Sequence, residues 1–417
     1  MSITTLIPPH PVASAPAAAR AVFGLMKRLR HGTLDVQLPD SSTLHFGTTT
    51  GDPGDVRAAI RLRNWNACAA ALKSGDIGFA ESYIAGDWST PDLTALLTLF
   101  IANRNEVESL VYGTWWGSLL HRARHVLNRN SRRGSQKNIH AHYDLGNEFY
   151  RLWLDPTMNY SSAWFEGDRH GDLVQAQWAK VRRALTECDV KAGDRVLEIG
   201  CGWGALAESA ARDFDATVTG VTLSSEQLAW AQRRLADAGL AGDLRYQDYR
   251  ALDGSGSTGS PQAAGRFDAI ASIEMFEAVG REYWPSFFAI LKAQLKPGGK
   301  ACIQSITIRD DLFERYVRST DFIQQYIFPG GLLPSPSAFR AAAAKAGLRV
   351  VNELAFGMDY AETLRRWRER FLGADAAVRQ LGFDTRFMRI WEFYLGYCEA
   401  AFATGNTSVM QFTLQRD

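Results

Sequence analysis

No apolar run in the 417 residues approaches the roughly 20 needed to cross a bilayer as a helix, so an integral membrane protein is not expected. Cysteine is sparse: Cys68, Cys188, Cys201, Cys302 and Cys398 are odd in number, widely scattered and without C-x-x-C spacing. That argues against a disulfide framework and a zinc site, and fits a reducing cytosol. An excess of one charge is also missing, because 46 Lys and Arg nearly balance 45 Asp and Glu to leave +1. No whole-protein field favours nucleic acid, and any attraction to a polyanion or a membrane must be local. The Ala/Pro/Ser-rich start lacks an early basic cluster and a continuous apolar core, so residues 1–25 read as a flexible leader rather than a signal peptide.

What is present is globular: 46% hydrophobic and 11% aromatic residues, in a length suited to two or three domains. From His31 to Phe46 apolar and polar residues alternate around Pro39-Asp40-Ser41-Ser42, a hairpin pattern, and Val56 to Leu62 reads as a further strand. Helical patterns follow from Asn64 to Lys73 and from Asp92 to Asn103, the second opened by Thr90 as cap and Pro91 in the first turn. Residues 26–118 are therefore expected to form a small α+β domain. The stretch 119–137 carries His121, Arg122, Arg124, His125, Arg129, Arg132, Arg133 and Lys137 without one acid. It reads as an interdomain linker, either simply solvated or docked on anionic headgroups at about 1 kcal/mol per near-surface basic residue. His121 and His125 could share a helix face, but no third ligand is near, so no metal is expected.

Beyond Lys191 strands and helices alternate, the signature of a parallel sheet covered by helices, and residues 138–417 form the expected second domain. Arg195 to Ile199, Thr217 to Val221, Phe267 to Ile273 and Ala301 to Ile306 read as strands; Ala205 to Asp213, Glu226 to Ala238 and Tyr283 to Leu295 read as helices. Asp253 to Arg266 is a Gly/Ser-rich insertion, and Val409 to Leu414 reads as the last, edge strand. The most informative turn is Val196-Leu197-Glu198-Ile199-Gly200-Cys201-Gly202-Trp203-Gly204, a strand running through glycines into a helix. Glycines there allow a tight turn and let a ligand approach main-chain N–H groups at a helix start, although any doubly wound domain needs such a turn. Glu198 before the glycines favours a ligand with an amino group, hence S-adenosylmethionine over a dinucleotide.

The ordered blocks VLEIGCGWG, GVTLSSEQ, QDYR, MFEAVG and LKPGGK resemble the cyclopropane fatty acid synthase family of S-adenosylmethionine-dependent methyltransferases. So do HYDLGNEFY and YSSAWF before them, and YIFPGG and FGMDYAETLRRWRERF after them. The resemblance spans roughly Gly75 to the C-terminus, and GDIGFAESYIAGDW is similar to the family's lipid-binding N-terminal region. It implies a Rossmann-like class I methyltransferase domain, with a mostly parallel seven-stranded sheet and an antiparallel last strand. It also implies that Gly200 and Gly202 pass the methionine moiety and that Tyr160 and Ser161 cover it. Val221-Thr222-Leu223-Ser224 lacks the usual ribose-gripping acid, and the resemblance gives that work to Thr222 and Gln227. Ser224 and Gln227 also spell a capping box, which would occupy Gln227 structurally. Asp248 and Tyr249 fall where the family contacts adenine, although Asp at a strand end also forms turns.

An alkene is a poor nucleophile, so its methylation needs alignment with the sulfonium methyl in a dry site. The resulting carbocation is stabilised by aromatic faces. With 12 Trp, 13 Tyr and 22 Phe, the chain has aromatics to spare, and Tyr326 to Gly331 is the candidate tunnel wall. The resemblance implies a bound bicarbonate as base, oriented by Glu277, Tyr360 and the backbone of Ile306. Three departures touch that cradle: Ser162 stands where the family has Cys, Gln304 where it has His, and Ala278 follows Glu277 where His is expected. Ser and Gln can still donate to an anion, but the imidazole is lost. The neighbouring Glu274 is an extra acid that either compensates or is a surface charge.

The expected function is methyl transfer to the double bond of an unsaturated phospholipid acyl chain, forming a cyclopropane. The alternatives are a methyl-branched product and a lipid binder that has lost catalysis. The expected setting is the cytoplasm, at the inner face of the membrane, and the resemblance implies a homodimer.

Overall fold

The structure, a computed structural model, describes residues 15–48, 55–107, 145–252 and 267–417. The basic stretch 119–137 and the insertion Asp253 to Arg266 lie outside them. Two compact units emerge. One holds the described residues up to 107 with Ser319–Gln325 and Asp384–Ala400; the other holds the remainder.

In the first unit the alternating segment forms the expected hairpin, β1 (Gly32–Gln37) antiparallel to β2 (Thr43–Thr48). Its turn is closed by Leu38 N–H donating to Ser42 O at 2.8 Å, with Ser41 left-handed at φ 71°. β3 (Arg57–Leu62) pairs parallel to β1, and the two-residue β4 (Trp88–Ser89) completes the order β2-β1-β3-β4. The helix Leu93–Ala102 is capped by Asp92, whose carboxylate accepts from Ala95 N–H at 2.9 Å. Thr90 lies outside it and accepts from Asp92 N–H instead, which corrects the expected cap.

Two further corrections concern extent. Ala17–Met26 is a helix with Ala19, Phe23 and Met26 buried, because apolar residues recur on one face, so the leader reading fails from residue 17 onward. The unit also recruits two distant segments. Phe322 packs edge-on against Phe393 at 4.8 Å, and Tyr397 Oη donates to Asp76 at 2.9 Å, contacts no local pattern discloses.

The second unit carries β5 (Arg195–Ile199), β6 (Thr217–Thr222), β7 (Asp243–Tyr246), β8 (Phe267–Ile273), β9 (Leu295–Ile308), β10 (Leu348–Ala355) and β11 (Thr407–Arg416). They form one seven-stranded sheet in the order β10-β11-β9-β8-β5-β6-β7. β5 to β9 pair in parallel, and β11 runs antiparallel to both its neighbours. β11 is therefore an internal strand, not the expected edge; its central six residues are buried, and β10 takes the edge. A buried core on one side joins Phe276, Phe287, Phe288, Phe339 and Phe412 to the strands. The strand order reverses beside β5, where doubly wound sheets place ligands at the carboxyl ends of the strands.

Candidate functional site

At that point an open cleft with about 1160 Å³ of empty space is lined by Tyr160, Ser161, Glu198, Gly200, Gly202, Thr222, Gln227 and Tyr249. Gly200, Gly202 and Gly204 all adopt positive φ (84°, 49° and 83°), the conformation that makes the turn tight. A Cβ on Gly204 would stand 2.9 Å from Ala231 Cβ, so that glycine serves helix packing; one on Gly202 would meet no atom of the described residues within 4 Å. Trp203, which the motif did not single out, also lines the cleft and is fixed by donating to Asn147 Oδ1 at 2.7 Å.

Glu198 is buried, and burial raises its pKa well above the usual carboxylate range against the opposing pull of Ala207 N–H and Arg234. Among the described residues its Oε2 has no hydrogen-bond partner. An orphan acceptor in a cleft wall fits a ligand donor, as the S-adenosylmethionine reading requires of the amino group.

Ser224 caps the next helix by accepting from Gln227 N–H at 3.2 Å. The reciprocal half of the capping box does not form: Ser224 N–H donates to Thr222 Oγ1 at 3.2 Å, and the Gln227 amide faces Thr222 at 3.4 Å. Thr222 and Gln227 thus form a polar pair on the cleft wall. Asp248 behaves differently from expectation. It caps the short helical turn after β7 and chelates Arg250 through Nε at 2.9 Å and Nη2 at 2.6 Å, and it does not line the cleft. Its neighbours Gln247, Tyr249 and Arg250 do.

The expected base cradle is also rearranged. None of Ser162, Glu277, Gln304, Ile306 and Tyr360 lines the cleft; Glu274 does. Glu274 is the first residue after β8, sits in the left-handed region at φ 49° and donates its N–H to Gln304 O at 2.8 Å. A non-glycine residue held there stores backbone strain of about 1 kcal/mol or more, a cost that clusters at functional sites. Its carboxylate accepts three hydrogen bonds: from Ser162 N–H at 2.8 Å, Gln304 Nε2 at 2.8 Å and Tyr360 Oη at 2.7 Å. Ser162 contributes its backbone, while its hydroxyl donates to Ala163 O at 2.9 Å. Tyr360 serves Glu274 rather than Glu277. Glu277 lies behind, accepting from Ile306 N–H. The segment Tyr326 to Gly331 does not line the cleft either; just beyond it, Leu332 N–H donates to Glu277 O at 2.8 Å.

Both acids are raised above the usual carboxylate range. Burial and the adjacent Glu274 charge raise Glu277 to about 8. Burial raises Glu274 too, against the opposing pull of Lys180 and the three donors. Lys180 is itself buried and donates to Ser161 Oγ at 2.5 Å, with its pKa lowered to about 8 by desolvation. Its signal in the sequence is a lysine on the apolar face of the helix Leu173–Glu187, beside Ala176, Gln177 and Ala184. Gln411 is one of two polar residues, with Thr413, in the buried run Val409 to Leu414, and it donates to Gln304 Oε1 at 3.0 Å.

The sequence matches the mycolic acid cyclopropane synthetase family over residues 130–412. It is 38% identical to the tuberculostearic acid methyltransferase UfaA1 of Mycobacterium tuberculosis, across 99% of this chain and 94% of that protein. It is 33% identical to the cyclopropane-fatty-acyl-phospholipid synthase of Escherichia coli K12, across 87% of this chain and 89% of that one. Among solved structures, the mycolic acid cyclopropane synthase CmaA1 complexed with SAH and CTAB superposes with a TM-score of 0.61 at 31% identity, covering 67% of this chain and 98% of that one.

Proposed function

The chain belongs to the mycolic acid cyclopropane synthetase family and is an S-adenosylmethionine-dependent C-methyltransferase of lipids; on that premise we propose that its acceptor is a double bond in an acyl chain of a membrane phospholipid, closed to a cyclopropane. The observation that carries this reading is the pairing of a donor-binding cleft with a buried carboxyl in its wall, Glu274, which accepts three hydrogen bonds. The cofactor supplies an electrophilic methyl. Glu198 Oε2 would accept from its amino group, Thr222 and Gln227 would hold its ribose, and Tyr249 would cover its adenine. Gly200 and Gly202 would let it approach the backbone, and Tyr160, with Trp153 and Trp367 packed behind it at 5.3 and 5.6 Å, would cover the reacting end.

The first unit serves the lipid. It contains a nearly all-apolar cavity lined by Phe23, Leu34, Phe79, Leu97, Phe100 and Phe393, in keeping with acyl-chain handling. Among the described residues no helix is long and apolar enough to cross a membrane, which suits a peripheral enzyme drawn to anionic headgroups by the basic stretch 119–137. We extend the proposal to a homodimer at the inner face of the membrane.

A methyl-branched product is the second reading. It is favoured by the three donors that restrain Glu274, since a base unable to follow the new methyl leaves the cation to lose a proton from the chain. The test is incubation with vesicles of unsaturated phospholipid and methyl-labelled S-adenosylmethionine, followed by proton NMR of the extracted lipid. Strongly upfield ring methylene signals are expected. A labelled methyl doublet without them selects the branched product, and label that never enters lipid refutes both.

A further inference from the structure

The donors that should cradle a free bicarbonate already hold a protein carboxylate. Gln304 Nε2 and Tyr360 Oη, two of the groups expected to donate to that anion, converge on Glu274, joined there by Ser162 N–H. Ile306 N–H, the fourth, is taken by Glu277. An additional anion would have to displace these bonds and sit beside a negative charge in a buried pocket, which is costly. The site as built does not fit bicarbonate.

We propose that Glu274 is the proton-accepting base of this enzyme, a carboxylate built into the chain in place of bicarbonate, so that the reaction is independent of bicarbonate. The inference rests on the alkene-methylation reading above. In the step it performs, a C–H bond of the transferred methyl breaks, its electron pair closes the third side of the ring onto the cationic carbon, and the proton passes to a Glu274 oxygen. In the branched outcome the C–H bond is one of the chain and its electrons form a new C=C bond; the acceptor is the same.

Four observations place Glu274 in this role. It alone of the cradle residues lines the cleft. Its backbone is held in the left-handed region, which turns the side chain away from the strand pattern that buries Glu277 behind it. The buried Lys180 supports its ionised form. Finally, the polarity of its amide donor is dictated from outside. Arg183, which can only donate, bonds Gln411 Oε1 at 2.6 Å, so the Gln411 amide must turn its NH₂ to Gln304 Oε1, and Gln304 must turn its NH₂ to Glu274.

The test has two arms on the full chain. In the first, ¹³C-bicarbonate is titrated with wild-type protein and with Glu274→Ala, and the ¹³C line width is read. No broadening is expected for wild type, and broadening is expected for the variant whose cradle is vacated. In the second, label transfer to unsaturated phospholipid vesicles is measured in CO₂-scrubbed buffer with and without added bicarbonate. Wild-type rates should agree within about twofold, Glu274→Gln should lose about 10²- to 10⁴-fold, as for a removed general base, and Glu274→Ala should regain at least about tenfold on adding bicarbonate. If Glu274→Ala does not fold, the near-isosteric Glu274→Gln decides. Wild-type dependence on bicarbonate, wild-type line broadening, or near-normal activity of Glu274→Gln each overturns the proposal. If wild type methylates no phospholipid at all, the reading of function fails, while the line-width arm still decides who occupies the cradle.

Discussion

The hydroxyl of Tyr360 donates to Oε2 of Glu274 at 2.7 Å, and its ring lies 4.5 Å from that of Phe402 in a buried pocket. The bond is made to a charged group in low dielectric, where one hydrogen bond is worth about 1.5–3 kcal/mol. Tyr360→Phe keeps the ring and removes this bond. Turnover should fall about 10- to 100-fold while S-adenosylmethionine affinity, read by calorimetry, stays within about twofold. Equal losses in both would mean that Tyr360 supports the fold of the cleft rather than the carboxylate.

How far the sequence disclosed this arrangement depends on the range of the forces involved. The strand–glycine–helix unit at Gly200, the hairpin at Asp40 and the alternation of strands and helices were legible, because each is set by local backbone geometry and the period of apolar residues. Asp248 was misjudged because Arg250, two residues on, captures it. Glu274 and Glu277 are three residues apart, and which of them reaches the cleft is decided by one left-handed residue that no periodicity announces. The segments 319–325 and 384–400 join the first unit through contacts that span hundreds of residues of chain, such as the packing of Tyr83 on Phe393 and the bond from Tyr397 to Asp76, which a linear reading cannot see.

The glycine turn separates structural from ligand-facing positions. Gly202 at φ 49° has no atom of the described residues near a would-be Cβ, whereas at Gly204 the Cβ would be 2.9 Å from Ala231. Gly202→Ala should fold with a loss of only about 1–2 kcal/mol, the cost of a left-handed alanine, yet weaken cofactor binding at least about tenfold. Gly204→Ala should lower the melting temperature more and affect binding only as far as the fold is lost. Thermal unfolding beside calorimetry checks both, and an unchanged affinity in Gly202→Ala would remove the cofactor from this turn.

Glu277 gives stability a pH signature. Its carboxyl is raised from 4.5 to about 8 by burial and by the Glu274 charge. Between those values the folded state keeps a proton that the unfolded state has released, so stability falls as pH rises across the window. The contribution is fully present below about 4.5 and is lost as pH rises through about 8. Asp76 and Asp321, raised to about 7 and about 6, act in the same sense but belong to the other unit and are unchanged by mutation here. Melting temperatures of wild type and Glu277→Gln, measured across pH 5 to 8.5, should therefore diverge, the variant being flatter. Parallel curves would show that Glu277 titrates as an ordinary acid.

Gln411 offers the sharpest test of how Glu274 is held. It is buried in β11, receives Arg183 on its oxygen and gives its NH₂ to Gln304, so it never touches the cleft. Gln411→Leu leaves Gln304 Oε1 without a donor and lets that amide flip, which would turn an oxygen toward Glu274 and replace attraction by repulsion. The loss of one such bond, at about 1–3 kcal/mol, corresponds to about 5- to 100-fold in turnover, with KM for S-adenosylmethionine nearly unchanged. Gln411→Glu should do worse, since a carboxylate can still accept from Arg183 but offers Gln304 Oε1 no proton. Should both variants lose stability while kcat holds, Gln411 satisfies a buried strand and nothing more; a fall in kcat at native stability requires that the orientation of Gln304 be transmitted to the carboxylate.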